Sequence, residues 1–386
     1  MYHFRAFVRR SLNRLALTVL DVLYPVTGRK RRRWLFEKNV KITPLNTGVE
    51  VLSRDGDCIK IAKKRPDGSF SDAPFRILTT TDIHMGDDPA LRRKSVQMLA
   101  NHIVSHKPDL VIFTGDIILG KYQQLDVTQL ARFMEKTGVY WAITFGNHEA
   151  REDKGFFKWF MLDTAAHYPH CLAVHGDSSL FGYGNYEIDV MADEKTVKQA
   201  LFLLDSGRDM RDDYSKLYGT PEGMKGYDFL KPCQIEWYEK RIELMKSAYN
   251  DAKSLMYFHI PLPEFDVVMR LNADGRYVPT GEAELEYGCM YESVGCSPYN
   301  SGMFETILRL GSTQAVFCGH DHVNAFSAIY RGVRLVYNQY DGYETYTPDV
   351  MGLKSEKDWM QGVTLTDIAP DGSIRVYPRY NSDYLK

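Results

Sequence analysis

No stretch of this 386-residue chain reaches the ~20 consecutive apolar positions of a membrane span. The best candidate, Leu15 to Val26, is short and broken by Asp21. Gly28 and the run Arg29-Lys30-Arg31-Arg32-Arg33 follow it where a secretory leader would need a small-residue cleavage site. Cysteine is sparse, at positions 58, 171, 233, 289, 296 and 318, with no Cys-x-x-Cys pair, which excludes a thiolate zinc finger. Cys289 and Cys296 could pair but are read as reduced, and Cys318, in an apolar run, reads as a buried free thiol. There is no Gly-x-Ser-x-Gly elbow and no Walker loop, which argues against serine hydrolases and P-loop NTPases. Internal repeats and low-complexity segments are also missing. The net charge of −2 predicts no specific nucleic-acid partner.

That near-neutral total hides an asymmetry. The segment 1–41 carries Arg5, Arg9, Arg10, Arg14, Arg29, Lys30, Arg31, Arg32, Arg33, Lys38 and Lys41 against Asp21 and Glu37, so the remainder is net acidic. It reads as a basic amphipathic arm with Leu15, Leu17, Val19, Leu20, Leu23 and Tyr24 on its apolar side. Such a helix either packs on its own domain or lies on an anionic membrane surface. The expected location is cytoplasmic, with the arm offering peripheral attachment at the inner membrane face.

Residues 42–74 read as leading strands or a linker, and 75–386 as the main domain. From Phe75 onward, apolar strand-like runs alternate with helical patterns. Strands are expected over Phe75–Thr81, Leu110–Thr114, Val139–Phe145, Gln199–Leu204, Leu255–His259 and Ala315–Cys318. Helices are expected over Pro89–His106, Val127–Lys136, Gln234–Ala248 and Ser301–Leu310. Hairpin strands follow at Ala325–Tyr330, Val333–Asn338, Gly362–Ile368 and Ser373–Tyr377, the last pair joined by the turn signal Asp371-Gly372. This order implies an α/β fold of layered sheets with helices outside. Segments 208–230 and 264–300 fit neither period and read as inserted loops that shape a binding site. Phe156, Phe157, Trp159 and Phe160 are expected in the core.

Five strand ends carry ligand-type residues. They are Asp82-Ile83-His84, Gly115-Asp116, Gly146-Asn147-His148-Glu149, Phe258-His259 and Gly319-His320-Asp321-His322. Side chains two apart on an extended strand point the same way, so Asp82 and His84 can reach one ion together. Each fragment alone is weak, but oxygen and nitrogen donors after an apolar run at all five places build a site at the carboxyl ends of strands. His167, His170, Cys171 and His175 match no metal spacing and read as surface or packing residues.

In this order the motifs resemble those of the calcineurin-like metallophosphoesterases. Leu203-Leu204-Asp205-Ser206-Gly207, Phe258-His259-Ile260-Pro261-Leu262-Pro263-Glu264-Phe265, Asn300-Ser301-Gly302 and Gly319-His320-Asp321-His322-Val323-Asn324 look closer still to the purple-acid-phosphatase-like branch. The resemblance covers about 75–380. It implies a four-layer αββα sandwich of two packed mixed β-sheets flanked by helices. It also implies two divalent ions, manganese, iron or zinc, with Asp82, His84 and His322 on one, Asn147, His259 and His320 on the other, and Asp116 bridging both. Two such ions would bring about +4 and the carboxylates of Asp82 and Asp116 about −2, leaving a positive site for a phosphate ester. A water activated between the ions would attack phosphorus, with His148 as general acid or phosphoryl donor and Asp82 as the group orienting its ring. Asn147, His148, Asp205, Asn300 and Ser301 are candidate substrate contacts; for Asp205, Asn300 and Ser301 the alternative is loop stabilisation.

The expected function is phosphomonoester hydrolysis. The alternatives are phosphodiester hydrolysis at the same site, or a catalytically inactive scaffold of the same fold. In purple acid phosphatases a metal-binding tyrosine stands three residues after the Gly-Asp aspartate; here that place is Leu119, with Tyr122 three further on. A colourless protein active with divalent ions is therefore expected.

Overall fold

The computed structural model describes residues 42–120, 123–149, 157–249, 253–353, 355 and 359–385. The basic arm, Phe156 and Tyr122 lie outside these residues. The chain opens with β1 (Val49–Asp55) and β2 (Cys58–Lys63), so 42–74 holds strands. Strands β3 (Phe75–Thr80), β4 (Leu110–Thr114) and β5 (Tyr140–Thr144) alternate with helices α1 (Pro89–His106) and α2 (Gln123–Thr137), and α3 (Lys158–Ala166) comes next. Then follow β6 (Tyr186–Met191), β7 (Val197–Leu203), α4 (Tyr214–Tyr218), α5 (Pro232–Tyr249) and β8 (Ser254–Tyr257). Short β9 (Met269–Leu271), β10 (Tyr277–Pro279) and β11 (Glu284–Cys289) precede α6 (Met303–Leu310) and β12 (Thr313–Cys318). The chain closes with β13 (Ala325–Tyr330), β14 (Val333–Tyr337), β15 (Gly362–Ile368) and β16 (Ile374–Tyr380).

Two large mixed sheets result. One has nine strands in the order β1-β2-β6-β7-β8-β12-β14-β13-β11, the other five in the order β16-β15-β3-β4-β5. Strand β7 shows how they stack. Its Leu201 and Leu203 enter the core shared with Ile77, Ile112 and Trp141 of the five-stranded sheet. Its Ala200 and Phe202 face the opposite way, against Tyr238 and Ile242 of α5 and Ile307 of α6. A strand covered on both faces carries no polar alternation, which is why Val197–Leu203 is buried at every position. Helices α1 and α2 cover the outer face of the five-stranded sheet through Val96, Leu99, Ile103, Leu130 and Phe133. The layers are helix, sheet, sheet, helix, and each Leu, Ile or Phe sealed between them contributes about 1.5–3 kcal/mol.

Local chemistry sets the boundaries. Helix α1 starts where the Asp88 side chain accepts from the N–H groups of Ala90 and Leu91, with Pro89 at its first position. It ends at Lys107, which takes a left-handed conformation. Three expectations need correction. Segment 264–300 is not all loop: β9 and β10 form a hairpin and β11 pairs with β13 at the edge of the large sheet. The charges of Glu284 and Glu286 hid β11, because an edge strand keeps a solvated face. Segment 208–230 contains α4 and a small core of Met210, Tyr214 and Phe229. The third correction is Phe157, which is exposed, and Trp159 and Phe160, which are half-buried, while Met161 and Leu162 supply the core at α3. All six cysteines are free thiols.

Candidate metal centre

Strands β3, β4 and β5 run parallel in one sheet, and β7, β8, β12 and β14 run parallel in the other. The ligand-type residues follow the carboxyl ends of β3, β4, β5, β8 and β12, which brings donors from both sheets to one place. The backbone there is bent out of ordinary strand geometry. Among the described residues, positive φ outside glycine occurs at Asp82, His84, Asp116 and His320, and otherwise only at Lys107 and Arg331. Such conformations are costly, and strain of this kind clusters at functional sites. The expected shared direction of Asp82 and His84 thus comes from a left-handed kink at each residue, not from strand pleating. Close packing accompanies it: a Cβ on Gly146 would collide with the Asp116 carboxylate, and one on Gly319 with Thr81 and Asp82.

Two trios of donor atoms converge, Asp82, His84 and His322 in one, Asp116, His259 and His320 in the other, each within 4.8 Å. In the first, His84 Nε2 lies 3.0 Å from His322 Nε2, and both lie 3.6 Å from Asp82 Oδ1. In the second, His259 Nε2 lies 3.2 Å from Asp116 Oδ2 and 3.3 Å from His320 Nδ1. Asn147 Oδ1 lies 3.1 Å from His259 Nε2. Asp116 Oδ2 is also 3.7 Å from His84 Nε2, so this oxygen faces both trios.

Each carboxylate has one oxygen tied down and one left for the centre. Asp82 Oδ2 accepts from the Thr81 hydroxyl at 2.8 Å and the His320 N–H at 2.9 Å, while buried Oδ1 has no hydrogen-bond partner. Asp116 Oδ1 accepts from the His148 N–H at 2.8 Å. The imidazoles are oriented from behind. His259 Nδ1 donates to the Thr114 carbonyl at 2.8 Å, and His322 Nδ1 to the Tyr346 carbonyl at 3.2 Å. With Nδ1 so committed, Nε2 of each ring is the atom that faces the carboxylates. An orphaned buried oxygen surrounded by nitrogen donors fits a divalent cation.

The electrostatics agree. Burial is the largest influence and opposes ionisation of Asp82 and Asp116, but the surrounding histidines, His259 foremost, together outweigh it and hold both carboxyls well below their ordinary range. Burial disfavours charge on His259 too, yet the Asp116 and Asp82 carboxylates push it up to about 10. His320 goes the other way, down to about 3, through burial and then the charge of His259. The pair of buried carboxylates thus calls for positive charge at the centre.

His148 is not among the converging donors. Its side chain is 39% exposed at the mouth, and its Nε2 lies 3.8 Å from Asp116 Oδ2. Of the two carboxylates, Asp116 is the one within 4 Å of its ring. Burial lowers its imidazole below the ordinary value, with Asp116 working in the opposite sense.

Asp205 sits elsewhere. It is buried, paired with Lys158 Nζ at 2.7 Å, and accepts from the N–H groups of Tyr183 and Gly207. Its carboxylate is consumed inside the fold, so loop stabilisation is its observed role. Asn300 is exposed; it donates to Glu264 and accepts from the Gly302 N–H, and Ser301 beside it is half-buried ahead of α6. His170 and His175 pair with Glu135 and Asp163. A third buried trio, Cys58, Glu187 and Asp189, lies on β2 and β6, where Arg241 already neutralises Glu187.

One residue that sequence reasoning left without a role is Glu149. It is fully buried and accepts from the N–H groups of Asp116, Ile117, Ile118 and Gly146 at 2.6–3.0 Å. It ties the β4 loop to the β5 loop, so Asp116 and Asn147 move as one piece. Burial, then the Asp116 charge, push its carboxyl up to about 7, against the pull of the N–H donors. Its place in Gly-Asn-His-Glu was the available signal.

Comparison with known proteins agrees with this architecture. A dimetal phosphatase from Danio rerio superposes with a TM-score of 0.51 at 14% identity, over 80% of this chain and 97% of its own. "Probable inactive purple acid phosphatase 29" of Arabidopsis thaliana is 28% identical over 310 residues, 70% of this chain and 73% of the plant protein. A phosphatase of Saccharomyces cerevisiae is 28% identical over 320 residues, 76% of this chain and 49% of the yeast protein. Residues 75–324 match the family described as Calcineurin-like phosphoesterase, from the start of β3 to the residue before β13. This chain belongs to the calcineurin-like phosphoesterase family.

Proposed function

We propose that this protein is an active binuclear metal-dependent phosphoesterase with a preference for phosphomonoesters. The observation that carries the reading is Asp116 Oδ2, which faces both donor trios while His148 stands beside it at the open mouth. Asp82, His84 and His322 would hold one ion, His259, His320 and Asn147 the other, and Asp116 both. Bound there, the ions would activate water and polarise the phosphoryl oxygens. The chain's own groups do the rest. Asp116 and Asp82 keep one anchored and one free oxygen, so no reorganisation is needed when charge develops. His148, reachable from solvent, donates a proton to the leaving oxygen. The name of the plant relative contains the word inactive; this chain retains every residue of both trios, Asn147 and His148.

The test is turnover of an aryl phosphomonoester and an aryl phosphodiester by metal-stripped protein reloaded with manganese, zinc or ferrous iron. Faster monoester turnover that depends on added metal is expected. Faster diester turnover would favour the phosphodiesterase alternative. No turnover of either with two ions bound per chain would favour the scaffold.

A further inference from the structure

The segment after β14 lies beyond the matched region 75–324, yet it meets the centre through the rings of Tyr340 and Tyr346. Tyr346 touches His322 in three ways. Its backbone carbonyl accepts from His322 Nδ1 at 3.2 Å, and its hydroxyl accepts from the His322 N–H at 3.1 Å. Its ring lies parallel to the imidazole, 11° between planes and 4.3 Å between centroids. Tyr340 adds a second near-parallel ring at 5.7 Å. Tyr346 therefore meets His322 at the ring nitrogen, the ring face and the backbone N–H. The same hydroxyl, having one proton and two lone pairs, donates to Glu292 Oε1 at 2.6 Å. Glu292 belongs to segment 264–300 and is itself fastened by its N–H to Asn324.

We propose that Tyr346 is the positioning residue for His322, and that its hydroxyl locks this histidine to segment 264–300 through Glu292. The inference rests on the reading of His322 as a metal ligand. Groups behind a ligating histidine fix its orientation, and their loss costs about 10–100-fold in metal affinity. Tyr346→Ala removes the stacked ring and both hydroxyl bonds, leaving only the carbonyl. Tyr346→Phe keeps the ring and removes the hydroxyl bonds.

The experiment titrates purified wild type, Tyr346→Ala, Tyr346→Phe and His322→Ala with EDTA and counts ions per chain by elemental analysis. Expected is early release of one ion from Tyr346→Ala, at about 10–100-fold lower chelator than wild type. The second ion should hold, and Tyr346→Phe should fall in between. Tyr346→Ala with wild-type retention, while His322→Ala loses an ion, overturns the proposal and leaves the ligand assignment standing. If His322→Ala also keeps both ions, the ligand assignment itself falls. Should Tyr346→Ala fail to fold, Tyr346→Phe decides: release at the wild-type concentration overturns the proposal.

Discussion

The two sheets bring different chemistry to the centre. The five-stranded sheet supplies Asp82, His84, Asp116, Asn147 and His148, hence both carboxylates, from the ends of β3, β4 and β5. The nine-stranded sheet supplies only imidazoles, His259 after β8 and His320 and His322 after β12. Their anchors differ accordingly. The acidic side is braced by N–H groups that fix carboxylate oxygens, including the four N–H bonds collected by Glu149. On the imidazole side, carbonyls at Thr114 and Tyr346 fix ring nitrogens of His259 and His322. One sheet carries both carboxylates and the other most of the imidazoles of the two trios. Neither sheet alone offers a complete trio, so the centre exists only while the sheets stay packed.

The two sides depend on each other most at the oxygen shared by both trios. Asp116→Asn should abolish turnover and lower the content of both ions, read by elemental analysis beside the activity assay. Full metal with retained activity would mean that the trios are independent.

His148→Ala tests a residue of the acidic sheet that is not assigned to an ion. It should keep two ions per chain and lose roughly 10²–10⁴ in rate, the usual worth of a positioned acid. The loss should shrink on substrates with good leaving groups; an equal loss on good and poor leaving groups would make His148 a phosphate-positioning group instead.

Asp205→Ala leaves Lys158 buried without its partner, which should cost about 3–5 kcal/mol in urea denaturation. Turnover per folded molecule should stay within a few-fold. A raised KM with unchanged stability would return Asp205 to the substrate.

Glu149→Gln should have the smallest effect on the imidazole side and a local one on the acidic side. It puts an NH₂ among N–H donors, costing about 1–3 kcal/mol for each one left unpaired. The asymmetry is checked by hydrogen exchange: faster at Ile117 and Ile118, unchanged at His322.

Much of this was legible in the chain itself. The apolar runs at Leu110–Thr114 and Gly362–Ile368 and the helix Pro89–His106 follow from periodicity, because that signal is local. The donor residues showed for the same reason, each directly following an apolar strand. Strand β6 did not show, since Glu187 and Asp189 break its apolar pattern, and the cation that pairs with Glu187 is Arg241, far along the chain. For Asp205 residue type left substrate contact and loop stabilisation equally open, and Lys158, 47 residues away, occupies it. Tyr346 carried no signal at all, because its role is a contact with His322 made across two loops. Residue type and spacing determined which atoms could bind a cation. Only the packing of one sheet on the other decided which of them meet, because converging donors must be brought together by contacts distant in sequence.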